Sequence, residues 1–131
     1  MSISLSDAEK VLQAAQKQAA SMGINVSIAV VDPRGDLVAL ARMDGARYFT
    51  ADIARGKAMA SASFGAPSGA FAEHAGSPIF KAINDSNLGR MVFHQGGVPI
   101  LQGGTLSGGV GVSGASSQQD EEVAKAGAAA L

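Results

Sequence analysis

A hairpin signal near residue 30 limits the possible folds of this chain more than any other feature. The β-branched apolar run Val26–Val31 predicts a buried strand. Asp32–Gly35 has the pattern of a type I turn, with Asp first, Pro second and Gly fourth, and Leu37–Met43 predicts the returning strand. Strands joined by so tight a turn pair antiparallel, so we expect an antiparallel sheet.

Helical patterns elsewhere in the chain predict helices packed on that sheet. Apolar residues at helical spacing behind the capping-box pattern Ser6–Glu9 predict a first helix over Asp7–Met22. Further helices are predicted at Ala51–Phe64, Pro78–Asn84 and Ser117–Ala130, and further strands at Met91–His94, Val98–Gln102 and Thr105–Ser113. The order α-β-β-α-α-β-β-β-α indicates an α/β (α+β) fold with one antiparallel sheet of about five strands.

Composition restricts the function. The 131 residues fit one domain, 1–131, and the chain has no Cys, which excludes disulfides and thiolate chemistry. A net charge of −1 without a basic stripe, and no apolar run near the ~20 residues of a membrane span, lead us to expect no nucleic-acid and no membrane partner. The N-terminus lacks a signal-peptide pattern, so we expect a cytoplasmic protein.

The core is predicted to be made of small side chains. The chain has 17 Gly, no Trp and one Tyr, beside many alanines. Such a core buries less area per residue than an aromatic one, so we expect a homo-oligomer to supply further burial.

Charged residues at the end of the first hairpin are candidates for a ligand site. Arg42 follows the second strand and Asp44 comes two residues later. A guanidinium at the mouth of a cleft can hold a carboxylate in its fork, and Lys57, in the alanine-rich second helix, can bind an anion or act as a base. The alternatives are a weak surface pair and a lysine that extends into solvent.

A second group of polar residues lies where the last predicted strand meets the last helix. Asp120 and Glu121 fall in the first turn of that helix, a few residues after Ser113. With Asp44 and Lys57, these carboxylates are the candidate catalytic residues, because burial can raise a carboxyl pKa toward neutrality. The simpler interpretation is that they stabilise a helix N-terminus.

His74 and His94 are the only histidines, and they do not have metal-ligand spacing, so we expect no metal site. The segment Gly109–Gly114 matches a dinucleotide-binding pattern, but the chain ends before the acidic residue that such a site needs. We therefore predict that its glycines allow another element to approach the sheet closely.

Four segments resemble the GlcG/HbpS-type family, also called the haem-degrading-protein family, which includes the C-terminal domain of some cobalamin adenosyltransferases. They are SIAVVDPRGDLVALARMDGA, ADIARGKAMASASF, GGVPI and GGVGVSGASSQQDEEVAKA, and the resemblance extends over nearly the whole chain. The resemblance implies a profilin-like or PAS-like fold, assembly into dimers or larger rings, and a small-molecule ligand, which in some members is haem.

The resemblance also implies roles for particular residues. Arg42 and Lys57 would contact anionic groups of the ligand, and His94 or His74 would be the axial haem ligand. The chain departs from the family pattern at Asp36, where many relatives have a histidine, and the predicted first helix has no histidine.

Three functions are consistent with the sequence. One is a small-ligand-binding protein that binds or degrades haem. Another is a catabolic lyase, isomerase or hydrolase for a small anionic substrate, aromatic ones included, with an Arg or Lys anchor and a carboxylate acid or base. The third is a non-catalytic assembly module. The first two require the charged groups named above to meet in one enclosed hollow.

Overall fold

One antiparallel sheet organises the chain, which a computed structural model describes over residues 1–131. The elements in chain order are α1 (Leu5–Ser21), β1 (Ser27–Val31), β2 (Leu37–Arg42), α2 (Thr50–Phe64), a 3₁₀ helix (Ser68–His74), α3 (Pro78–Ser86), β3 (Gly97–Gln102), β4 (Thr105–Ser113) and α4 (Ser117–Ala128). The sheet has the strand order β2-β1-β4-β3, and every neighbouring pair is antiparallel. The predicted fold class is therefore confirmed.

The first hairpin forms as predicted. The Gly35 N–H donates to the Asp32 carbonyl at 2.9 Å, which closes the turn. The Asp32 carboxylate also accepts hydrogen bonds from the backbone N–H groups of Arg34 and Asp36, at 2.9 and 3.0 Å. An aspartate that bonds the backbone ahead of it in this way stabilises the turn and fixes the register of β1 against β2.

The predicted strand Met91–His94 does not form, so the sheet has four strands rather than five. The Val92 N–H donates to the carbonyl of Gly56 in α2 at 3.1 Å. The side-chain amide of Asn84 bonds both the N–H and the carbonyl of Met91, at 2.8 and 3.1 Å. These partners satisfy backbone groups of the segment without a neighbouring strand. The predicted hairpin between this segment and β3 is therefore wrong.

Helices cover both faces of the sheet. α1 and α4 pack on the face that carries Ile28, Val30, Val110 and Val112. α2 packs on the opposite face, where Ala54, Ala58 and Ala62 meet Ala29 and Val31. Branched side chains thus fill one layer and alanines the other, which brings α2 close to the sheet. None of these helices has the length and apolarity needed to cross a membrane.

Glycines of β4 explain the close approach of α2. A Cβ atom on Gly109 would stand 2.6 Å from the Ala58 carbonyl oxygen, and a Cβ atom on Gly111 would overlap the Ala54 carbonyl oxygen. The close approach predicted for the glycines of this strand is confirmed.

Helix capping confirms one prediction and corrects another. At α4, Ser116 and Gln119 form the predicted reciprocal capping box, with both hydrogen bonds at 3.2 Å. At α1, the predicted box over Ser6–Glu9 is wrong. The Ser4 hydroxyl accepts from the Asp7 N–H at 3.1 Å instead, so the helix begins two residues earlier than predicted.

Candidate functional site

A buried ion pair joins the two helical layers. Lys57 Nζ in α2 lies 3.2 Å from Asp120 Oδ2 in the first turn of α4, and both side chains are 3% exposed. Lys57 Nζ also donates to the Val112 carbonyl at 2.9 Å, and Asp120 Oδ1 accepts from the Ala115 N–H at 3.0 Å. Each charged group therefore has one ionic and one backbone partner, as buried charges require.

Gly96 leaves room for the ammonium group of this pair. Its φ angle is 138°, and a Cβ atom there would stand 2.6 Å from Lys57 Nζ and 2.8 Å from the Val112 carbonyl oxygen. The Val112 N–H donates to the Gly96 carbonyl at 2.9 Å. Glycine is thus required at this position both by its backbone conformation and by the space that the lysine occupies.

Burial dominates the protonation of Asp120. It raises the pKa of Asp120 above the usual 3.8, although the charge of Lys57 and the Ala115 N–H act in the opposite direction. Neither Lys57 nor Asp120 lines a cleft of the protein. As placed, the pair fixes the turn after β4 and does not face solvent.

That turn forms one wall of an open cleft of about 520 Å³ at the ends of β1 and β4, which we call the strand-end cleft. Its lining includes Asn25, Arg47, Phe49, Thr50, Ser113 and Gln119. Ser113 was predicted to contact a ligand and does face the cleft, whereas Asn25, Arg47, Thr50 and Gln119 were not predicted. The only sequence signal for these four is their position just before a strand or a helix, or in the first turn of a helix.

A hydroxyl relay fixes the floor of the strand-end cleft. Thr50 Oγ1 donates to the Arg47 carbonyl at 2.6 Å and lies 2.8 Å from Ser27 Oγ. Because a hydroxyl has one proton, Ser27 is the donor to Thr50. The relay connects the central strand β1 to the loop that carries Arg47, and so holds that side of the cleft in place.

The remaining predicted charges lie apart from the buried pair. Arg42 and Asp44 are exposed, and neither forms an ion pair within 4.0 Å. They line a shallow cleft of about 380 Å³, which adjoins the strand-end cleft at Asn25. Glu121 forms a helical ion pair with Lys125 at 3.2 Å and lines a third cleft. The predicted convergence of these charges with the buried pair in one hollow does not occur.

Both histidines lie at an aromatic cluster on the α2 and α3 side of the molecule, which we call the phenylalanine cluster. Its members are Phe64, Phe71, Phe80 and Phe93, whose ring centroids are 4.7–6.5 Å apart. The exposed His74 ring stacks on Phe80 at 5.7 Å. His94 is also exposed, directly follows Phe93, and accepts a hydrogen bond at its carbonyl from Ser68.

Comparisons with known sequences agree in one family. A family model described as haem-degrading protein HbpS-like matches residues 3–129. An uncharacterized 15.0 kDa protein from the dhaT–dhaS intergenic region of Citrobacter freundii is 31% identical over 94% of this chain and 87% of its own length. The corrinoid adenosyltransferase PduO of the same organism is 27% identical over the full chain, but this chain spans only 39% of that enzyme.

Solved structures share the whole fold. A double mutant of Streptomyces reticuli HbpS is 34% identical with a TM-score of 0.86, over 100% of this chain and 88% of that one. Klebsiella pneumoniae ORFY is 26% identical with a TM-score of 0.87, over 98% and 89%. A PduOC:heme complex is 25% identical with a TM-score of 0.86, over 100% and 96%.

Proposed function

The chain belongs to the HbpS-like haem-degrading-protein family, and on that premise we propose that it binds haem at the phenylalanine cluster, with His74 as the axial ligand. The observation that carries the proposal is the stack of the exposed His74 imidazole on Phe80 at 5.7 Å. A histidine nitrogen is a common ligand of haem iron, and an aromatic surface can pack against the porphyrin ring. The solved haem complex of a relative with the same fold adds support.

The cluster meets two of the requirements for haem and leaves one to be supplied. Phe64 and Phe80 are stacked, with centroids 5.3 Å apart and planes within 6°, and offer partly exposed apolar surface to the ring. His74 offers the nitrogen ligand. However, no cleft is lined by these residues, so the second face of the ring needs a cover from elsewhere.

We propose that a second copy of the chain provides this cover. Ile79, next to Phe80 in α3, is 64% exposed, and the rings of Phe71 and Phe80 are partly exposed. Burial of such side chains between two copies would remove apolar surface from water and enclose the ligand. We therefore expect hemin to shift the sedimentation coefficient from monomer toward dimer, and an unchanged monomer would contradict this part of the proposal.

The residues of the chain would orient and shield the ligand. Bound haem would supply a redox-active iron. His74 would hold the iron in one orientation, and the phenylalanine rings would exclude water from the porphyrin face. Degradation of haem additionally consumes a reductant and dioxygen, so it is tested separately, by loss of the Soret band when ascorbate is added to the complex in air.

Hemin titration, followed by absorbance, tests the binding. We expect a saturable Soret shift that His74→Ala abolishes and His94→Ala leaves intact, because only His74 is stacked on the cluster. Phe80→Ala should weaken binding, whereas Phe49→Ala, an aromatic truncation at the strand-end cleft, should not. A Soret shift that survives the double change of His74 and His94 would reject histidine ligation.

A further inference from the structure

Two arginines that have no anionic partner face one cleft away from the sites described above. This cleft, of about 350 Å³, lies between α2 and the segment that leads from α3 toward β3. It is lined by Asp52, Ile53, Arg55, Gly89, Arg90 and Val92. None of these residues belongs to the phenylalanine cluster or to the strand-end cleft, and we call it the arginine cleft.

Arg55 is unusual among the arginines of the chain. It is the only one of the five that is not exposed. Its Nε–H is buried and has no hydrogen-bond partner, and no carboxylate lies within 4.0 Å of its guanidinium nitrogens. A buried N–H without an acceptor is unfavourable, and an oxyanion bound by this guanidinium would supply one.

Arg90, on the opposite side of the cleft, also has no ion-pair partner. Its backbone is held firmly against α2. The Arg90 N–H bonds the Asn87 carbonyl at 3.2 Å, and a Cβ atom on Gly56 would collide with the Arg90 carbonyl oxygen and with Val92. Two guanidinium groups are therefore mounted on backbone that is already in place, which lowers the ordering cost of binding.

The backbone beside Arg90 also adopts a rare conformation. Leu88 has a φ angle of 60° and Gly89 one of 69°, so two consecutive residues are left-handed, and Leu88 is the only non-glycine residue with positive φ. Left-handed residues of this kind commonly end a helix, and here they fix the direction in which the chain leaves α3 toward Arg90. Here the Gly89 N–H is tied to the Asn84 carbonyl at 2.7 Å.

From these observations we propose that the arginine cleft binds an oxyanion, the phosphate or carboxylate group of a small molecule, between the guanidinium groups of Arg55 and Arg90. Guanidinium recognises both groups through paired N–H donors. Asp52 is the only carboxylate in the lining and repels an anion, but two arginines leave the cleft with a net positive charge. The proposal is independent of haem binding.

The test is a titration with inorganic phosphate and, separately, with acetate, at constant ionic strength against NaCl. Nitrogen-15 NMR of the arginine Nε–H groups follows the chemical shift of each arginine side chain separately. We expect saturable shifts at Arg55 and Arg90 and none at Arg47, which lies in the strand-end cleft. Tighter binding of phosphate than of acetate would indicate a ligand with a phosphate group, and tighter binding of acetate would indicate a ligand with a carboxylate group. The absence of saturable shifts with either anion would overturn the proposal.

Variants provide a matched control. Arg90→Gln, at an exposed side chain, should weaken binding about tenfold or more, because it removes one charged donor set. Arg47→Gln should leave it unchanged, and Asp52→Asn should tighten it by removing the repelling charge. Equal affinities of wild type and Arg90→Gln would overturn the proposal. So would dissociation of an oligomer by phosphate, since the arginines would then belong to a subunit contact. Hemin binding should be unaffected by Arg90→Gln.

Discussion

Two pairs of opposite charges among the predicted site residues, Lys57–Asp120 and Arg42–Asp44, have different environments in the fold. The first is 3% exposed at both side chains and is satisfied entirely by protein groups. The second is exposed and forms no ion pair. The difference comes from packing, because the glycines of β4 let α2 approach closely and carry Lys57 into the interior. The buried pair is therefore costly to break, whereas only the exposed pair is free to meet a ligand.

The comparison predicts the largest change in the free energy of unfolding when the buried acceptor is removed. Asp120→Ala removes the partner of Lys57 Nζ and of the Ala115 N–H, and should lower the free energy of unfolding by about 3 kcal/mol. Asp44→Ala, the matched change in the exposed pair, should stay within about 0.5 kcal/mol. Urea unfolding of both variants measures the difference. Equal losses would show that the two pairs do not differ in burial in solution.

The next largest effect concerns the space beside the pair. Gly96→Ala should displace the Lys57 ammonium, because the new Cβ atom would stand 2.6 Å from Nζ. Gly103→Ala is the control, since Gly103 also has positive φ but no atom within 4 Å of an added Cβ. We expect Gly96→Ala to cost about 1–3 kcal/mol more than the control in urea unfolding. A cost equal to that of Gly103→Ala would mean that neither the φ angle of 138° nor the crowding at Lys57 Nζ strains the variant.

Local signals in the sequence predicted much of the fold. The Asp32–Gly35 turn and the Ser116–Gln119 box were identified correctly, because the groups that bond each other lie within four residues. The strand predicted at Met91–His94 failed for the opposite reason. Its apolar residues have strand propensity, but Gly56 and Asn84, from α2 and α3, bond its backbone. Propensity cannot anticipate a partner that is distant in sequence.

The candidate sites were less predictable than the fold. Lys57 and Asp120 were both selected from the sequence, but their contact joins residues 63 positions apart, and no spacing rule indicates that they meet. Arg55 and Arg90 were not selected, because single arginines on a helix and in a loop are typical of surfaces. Only the tertiary structure shows that both line one cleft and lack ionic partners.

A smaller effect should appear in the pH dependence of the buried pair. Because burial raises the pKa of Asp120, the native state binds the proton more tightly than the unfolded chain. The part of the Asp120 contribution that depends on protonation is therefore complete below pH 3.8 and is lost as the pH rises through the raised pKa. Asp120→Asn keeps an acceptor for the Ala115 N–H and cannot titrate.

We therefore expect Asp120→Asn to gain stability relative to wild type as the pH rises above 3.8. Urea unfolding of the two proteins over a pH series measures the gain. A relative loss for the variant over the same range would show that the attraction of Lys57 outweighs desolvation. In that case the pair would stabilise the fold through its charges rather than through its hydrogen bonds.

The smallest effect is expected at the surface carboxylate of Asp7, whose pKa is shifted in the direction opposite to that of Asp120. Gln102 Nε2 in β3 donates to Asp7 Oδ2 in α1 at 3.1 Å, and this hydrogen bond is the main reason that the pKa of Asp7 is lowered from 3.8, with Lys10 contributing less. A lowered pKa means that the contribution to stability is present above 3.8 and is lost as the pH falls through the lowered pKa.

Gln102→Ala should therefore be less stable than wild type at neutral pH, and the gap should close as the pH falls below 3.8. Gln13→Ala, at an exposed position on the same helix as Asp7, serves as the control and should show no such closing gap. A gap for Gln102→Ala that is independent of pH would mean that the glutamine acts by packing alone. If the stability differences at Asp7 and at Asp120 change with pH in opposite directions, the carboxylate of Asp7 is stabilised by its hydrogen bonds and that of Asp120 is penalised by burial.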